Sequence, residues 1–147
     1  QFARQAGAEV FATASSAHLD EVRNLGADHV IDYRAQRFED VARDIDLVLD
    51  YVGGEVLERS WQVLARDGAI VGTSSPEILA RTPAGRRGLW FVNTPDAALL
   101  ERLANDVAQG RLQARLGGVV GFAEIPAAIE RNRTRAVTGK VVADFSR

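Results

Sequence analysis

Along the first half of the chain, short β-rich apolar runs alternate with stretches whose apolar residues recur at helical spacing. Residues 10–12 make the first run. Ser15 or Ser16 can then cap a helix whose first turn carries Asp20 and Glu21, acids suited to the positive end of a helix dipole. Leu19, Val22 and Leu25 line one face, and Gly26 stands where a helix-ending glycine belongs. HVIDY at 29–33 is the next buried-type run, and Phe38, Val41, Ala42 and Ile45 predict a second helix. DLVLDYVGG at 46–54 reads as a central parallel strand covered on both faces and ended by two glycines. Leu57, Trp61 and Leu64 form a third helical stripe, after which Arg66, Asp67 and Gly68 turn the chain into a strand at 69–75.

This βαβαβαβ order with short connections predicts an α/β fold, a doubly wound parallel sheet. Right-handed crossovers then place the carboxyl ends of the strands along one edge, which carries TASS, DYVGG and GTSSP. Ligands bind at such an edge, although loops are polar in any fold.

The second half begins with a Pro-, Gly- and Arg-rich loop at 76–88 and a strand at 89–93, LWFVN. Thr94 and Pro95 predict a helix start, with Leu99, Leu100, Leu103 and Val107 on one side and Gly110 at the end. A strand at 116–122, a helix at 127–133 and an alternating strand at 139–145 break the earlier rhythm. These last strands read as docking onto a region upstream of residue 1.

Composition narrows the picture. The 147 residues are enough for a buried core, and 46% hydrophobic with 26% charged residues is ordinary for a globular chain. A formal charge of -2 gives no general affinity for nucleic acid, and no run approaches the ~20 apolar residues of a membrane span. The absence of cysteine excludes disulfides and Cys-ligated metal and fits a cytoplasmic protein. There is also no methionine, and residues 1–10 read as the second half of a helix running into a strand, so further sequence upstream is expected.

AGAEVFATASS, LGADHVIDYR, DLVLDYVGG, LARDGAIVGTSS and TGKVV resemble, in order and spacing, the zinc-independent quinone-oxidoreductase branch (zeta-crystallin-like) of the medium-chain dehydrogenase/reductase superfamily. The resemblance covers nearly the whole chain. It implies residues 1–110 as a partial Rossmann domain lacking its first strand and glycine-rich loop. Residues 111–147 would return towards a GroES-like substrate domain upstream. It implies NADPH as cofactor, a quinone, enone or related carbonyl as small-molecule substrate, and a homodimer through the 89–93 edge strand. Without the glycine loop, which receives the pyrophosphate, the chain alone is expected to be inactive.

The resemblance also suggests a site. At the end of its second strand, which is the first strand in this chain, an NAD-binding domain offers Asp or Glu, and TASS has neither. Ser15 or Ser16, His18 and Tyr33 match the family's 2′-phosphate contacts, with Arg34 beside them, and hydroxyls at a helix start suit such an anion. His18 stands where a lysine is common, so attraction rises when the imidazole is charged. Val52 and Gly53 would let the ribose approach the backbone, Thr73 and Ser74 would meet the nicotinamide end, Phe91 and Val92 the carboxamide, and Lys140 the cofactor's charge. Each has a structural alternative: a cap, a turn, a strand end, an edge strand, a solvated lysine. Asp50 is expected to anchor loop backbone, Trp61 and Trp90 to fill core or interface, and no residue is assigned as catalytic. Two other functions stay open: an enoyl reductase within a larger synthase, and a non-catalytic nucleotide-sensing or interaction module.

Overall fold

A computed structural model describes residues 1–134 and 136–146. They form two compact units, Gln1–Pro95 and the chain from Asp96 onward. The first unit holds α1 (Phe2–Gln5), β1 (Phe11–Ala14), α2 (Leu19–Asn24), β2 (His29–Asp32), β3 (Ile45–Asp50), α3 (Glu55–Ser60), β4 (Leu64–Gly72), α4 (Glu77–Arg81) and β5 (Arg87–Trp90). Every strand pair is parallel, as the alternating order requires. β1 pairs with β2, and a second sheet runs β3-β4-β5. The α/β class therefore stands, with the parallel strands of this unit in two sheets.

The core of the first unit follows the sequence stripes. Leu57 and Trp61 pack with Leu64, Ile70 and Ile78, and Val48 and Trp90 lie against them. Ile70, fully buried at the centre of β4, anchors this cluster. Burying such a side chain contributes about 1.5–3 kcal/mol.

Several elements differ from the sequence pattern. The helix expected over Phe38–Ile45 is a single 3₁₀ turn, Phe38–Asp40. Ile45 is claimed instead by the β3 ladder, its N–H bonding the Val63 carbonyl at 2.9 Å, and Asp44 turns the chain there with φ 51. Leu64 opens β4 rather than closing a helix, and the 66–68 turn is a bulge inside β4, across which partners jump from Ile45–Leu64 to Leu47–Ala69. Gly68 is needed there, because a Cβ would lie 2.7 Å from the Ile45 carbonyl oxygen. β3 is an outer strand whose Leu47 and Leu49 are about half exposed (54% and 52%), so it is not covered on both faces by the described residues. The 76–88 loop contains α4, and the strand expected at 89–93 lies at Arg87–Trp90.

The second unit contains α5 (Ala97–Ala108), β6 (Leu116–Val120), α6 (Ile125–Arg133) and β7 (Lys140–Ala143). α5 falls in this unit rather than with residues 1–95, so the compact units divide before it and not after residue 110. Its cap is Asp96, whose carboxylate accepts the Leu99 N–H at 3.0 Å, rather than Thr94. A carboxylate two residues closer to the helix simply outcompetes the hydroxyl. β6 and β7 pair with each other in parallel across α6, so these last strands find partners within their own unit.

A buried charge cluster braces the first unit. Glu39 is 3% exposed; Arg37 donates to it at 2.9 Å, and Arg59 Nη1 lies 3.3 Å from both its oxygens while its guanidinium sits over the Phe38 ring. Burial pushes the Glu39 carboxyl up, but its own backbone N–H, Arg37 and Arg59 outweigh burial and hold it below the usual carboxylate range. A depressed folded-state pKa stabilises above the unfolded value and loses that contribution as pH falls through the folded one. Glu39→Gln is expected to cost about 1–3 kcal/mol at neutral pH, because it leaves Arg59 unpaired. Urea melts read this cost, and the gap between variant and wild type should close as the pH drops below about 4.

Candidate functional site at the carboxyl ends of the parallel strands

Parallel pairing fixes which loops meet. In the second sheet Asp50 stands opposite Gly72, and Gly72 opposite Trp90, so the chain leaving β3, β4 and β5 emerges at one end. Asp50 is buried, and its Oδ1 accepts the N–H groups of Val52 at 2.8 Å and Gly53 at 2.9 Å. Its carbonyl accepts the Thr73 N–H at 3.1 Å. Asp50 thus anchors loop backbone, as its sequence context suggests, and ties the two strand ends together.

Gly53 has φ +77, and a Cβ on it would lie 2.7 Å from the Ser74 hydroxyl. The positive φ is what favours glycine at this junction. Val52, Thr73 and Ser74 are exposed around this point. Phe91 and Val92 follow β5 and are exposed at 55% and 63%, with the Phe91 N–H bonded to the Gly72 carbonyl at 3.0 Å. Val52, Gly53, Thr73, Ser74, Phe91 and Val92 therefore gather at one sheet end.

The first sheet builds a second cluster. Ala14 stands opposite Asp32, and the Tyr33 N–H donates to the Ala14 carbonyl at 3.2 Å. Neither serine caps the following turn through its side chain; Ser15 makes no cap bond, and the Ser16 hydroxyl donates to Asp32 Oδ2 at 2.5 Å. Asp32 Oδ1 accepts the Arg34 N–H at 3.0 Å. The Ser16 hydroxyl first, then the Arg34 N–H and charge, hold the Asp32 carboxyl below its ordinary range against a small opposing effect of burial. The Tyr33 ring is half exposed, the Arg34 guanidinium lies over it at 5.8 Å, and His18 Nδ1 faces Glu21 at 3.3 Å.

Ser15, Ser16, His18 and Tyr33 thus share one end of the first sheet. With them stands an acid that sequence reasoning passed over. TASS carries no carboxylate, but Asp32 brings one across the β1–β2 ladder. The signal was present in HVIDY, where the last strand residue of the neighbour is acidic; only the register reveals what it faces.

Lys140 opens β7 in the second unit. Its side chain is exposed, and its N–H bonds the Arg115 carbonyl at 2.9 Å. Of the loop arginines, Arg86 donates to the Ala65 carbonyl at 3.1 Å and so braces β4.

The chemistry on offer is binding rather than proton transfer. Hydroxyls, backbone groups and a glycine-narrow approach lie at the carboxyl ends of parallel strands, where dinucleotides bind in such sheets. Among the described residues no three His, Cys, Asp or Glu side chains converge as metal ligands, and no helix is long and apolar enough to cross a membrane.

Comparison with known proteins bears on this geometry. The sequence profile described as zinc-binding dehydrogenase matches residues 25–142. The chain is 32% identical over 136 residues to an NADPH-dependent alkenal/one oxidoreductase of Arabidopsis thaliana, covering 91% of this chain and 33% of that protein. It is 36% identical over 146 residues to the spectinabilin polyketide synthase protein NorB of Streptomyces orinoci, covering 93% of this chain and 6% of that one. The quinone oxidoreductase structure from Coxiella burnetii superposes with a TM-score of 0.86 at 26% identity, over 97% of this chain and 46% of its own. The chain thus spans about a third of the first of these relatives and about half of the solved structure. The zinc in the family's description finds no ligand set among the described residues. The profile match over residues 25–142 shows that this chain belongs to the zinc-binding dehydrogenase family, and it is similar to quinone and alkenal/one oxidoreductases.

Proposed function

We propose that this chain is the cofactor-binding part of an NADPH-dependent oxidoreductase that transfers hydride to a quinone, enone or related carbonyl. The observation that carries the reading is the glycine-narrow junction of Gly53 with Ser74 at the carboxyl ends of β3 and β4. Val52, Gly53, Thr73, Ser74, Phe91 and Val92 line the path of the cofactor's nicotinamide half. Ser15, Ser16, His18 and Tyr33 receive the adenosine end and its 2′-phosphate. NADPH supplies the hydride, and the chain's residues bind it, orient it and keep the loops at fixed spacing. Asp50 does this by holding the Val52 and Gly53 N–H groups, which leaves it no role as an acid.

The open edges of β1 and β3 belong to the same reading. A parallel strand bearing the glycine-rich loop seats between them, and a substrate domain precedes it in the native polypeptide. Hydride transfer from NADPH to a quinone and enone panel is expected from the native polypeptide and not from residues 1–147 alone. Turnover by the 147-residue chain, or a preference of the native protein for NADH, would refute the respective parts.

Gly53→Val is expected to weaken NADPH binding at least tenfold, since the side chain must displace Ser74 and adopt a left-handed backbone. Fluorescence titration with NADPH measures it, and wild-type affinity in a folded variant would remove Gly53 from the site. β5 is an outer strand that carries the exposed Leu89, and a homodimer through this edge completes the reading. Light scattering of the native protein is expected to give twice the protomer mass; a monomer argues against it.

A second reading has its own support. The similarity to a polyketide synthase protein over nearly the whole chain favours an enoyl reductase segment of a larger synthase. The substrate would then be an enoyl thioester, reduced with the same cofactor at the same strand ends.

A further inference from the structure

Resting on the NADPH reading of the β1–β2 strand ends, we propose that Asp32 is a specificity-determining residue of that site, a built-in counterweight to the 2′-phosphate. It holds the Ser16 hydroxyl and presents a negative charge where the adenosine ribose would lie. The result is a narrowed preference for NADPH over NADH.

The argument starts from proton counting. A serine hydroxyl has one proton to donate. In this structure Ser16 gives it to Asp32 Oδ2 at 2.5 Å, the short distance of a charge-assisted bond. A phosphate is an acceptor, so Ser16 must leave Asp32 to serve it. Asp32 then keeps only the Arg34 N–H, at 3.0 Å, and faces a dianion across an exposed surface. A free ribose 2′-hydroxyl makes no such demand, since it can itself donate to the carboxylate that Ser16 occupies.

The neighbouring cations offset this charge only in part: the Arg34 charge lowers the Asp32 carboxyl, behind the Ser16 and Arg34 N–H bonds. The Arg34 guanidinium sits over the Tyr33 ring, and the His18 imidazole faces Glu21, so each basic group is already engaged with a partner. Ser15 makes no cap bond and stays available to either cofactor. Glu21 is the other acid of the cluster and faces His18, so Asp32 is the acid that both holds a phosphate-contacting hydroxyl and works against a phosphate. The parallel register, Ala14 opposite Asp32, keeps it at the end of β1, where the ribose site lies.

The test measures equilibrium binding of NADPH and NADH to the native polypeptide by fluorescence titration, with thermal melts to check folding. Asp32→Asn keeps an acceptor for Ser16 and Arg34 but removes the charge. It is expected to raise the ratio of NADPH to NADH affinity about five- to tenfold, the scale of a charge interaction at an exposed site, with the gain shrinking in high salt. Asp32→Ser, a second neutral variant should the first fail to fold, is expected to shift the ratio the same way. Asp32→Glu, which keeps the charge, should leave the ratio near that of the wild type.

An unchanged or lowered ratio in both neutral variants overturns the inference while leaving the NADPH reading intact. So does an equal rise in Asp32→Glu. A wild-type protein that binds neither cofactor overturns both.

Discussion

The parallel ladder between β3 and β4 is the constraint on which the rest of the first unit depends. It sets Asp50 opposite Gly72, so that one buried carboxylate can hold the β3 loop and accept from the β4 loop at once. Ile70 at its centre collects Leu57, Trp61, Leu64 and Ile78 into a single cluster. With the strand ends tied this way, Gly53 lies against the Ser74 side chain with the positive φ of +77 that favours glycine. Core packing and site geometry are thus two consequences of one register.

Parallel strands cannot be joined by a tight turn, so each must be reached by a crossover that covers the sheet. α3 and α4 do this for β4 and β5. β3 is less complete, because Leu47 and Leu49 are left half exposed and one edge of the strand is unpaired among the described residues. A sequence that reads as a buried central strand and a structure in which it stands at an edge are reconciled if another strand belongs beside it. This is why the proposed activity is assigned to a longer polypeptide.

Electrostatics divides the site in two. At the β3–β5 end, charge is spent on the backbone through Asp50, leaving hydroxyls and apolar side chains exposed. At the β1–β2 end, each basic group has a partner near it: Arg34 lies over Tyr33, and His18 faces Glu21. Ser16 and Asp32 are engaged with each other. Under the proposed function, a cofactor arriving there would exchange partners rather than fill vacant ones, and selectivity at this end would depend on differences between competing bonds.

How much was legible beforehand depends on the range of the interaction. The alternation of short apolar runs with helical stripes sufficed for the α/β class and parallel pairing. The residue order around TASS, DYVGG and GTSSP sufficed to place hydroxyls and glycines at strand ends. These are local properties, set by side-chain period and turn chemistry within a few residues. The fate of Phe38–Ile45 was not legible, because Ile45 fits both a helical face and a strand, and only pairing with Leu64 decides between them. Nor was the Asp96 cap in preference to Thr94, or α4 inside an apparent loop. The acid facing Ser16 lies sixteen positions away in sequence and one strand away in space. By itself the sequence determined the α/β class, most of the strands and which chemical groups the strand ends would carry. Only the tertiary structure decided which of those groups face one another, because register is fixed by contacts between strands that no single stretch of chain contains.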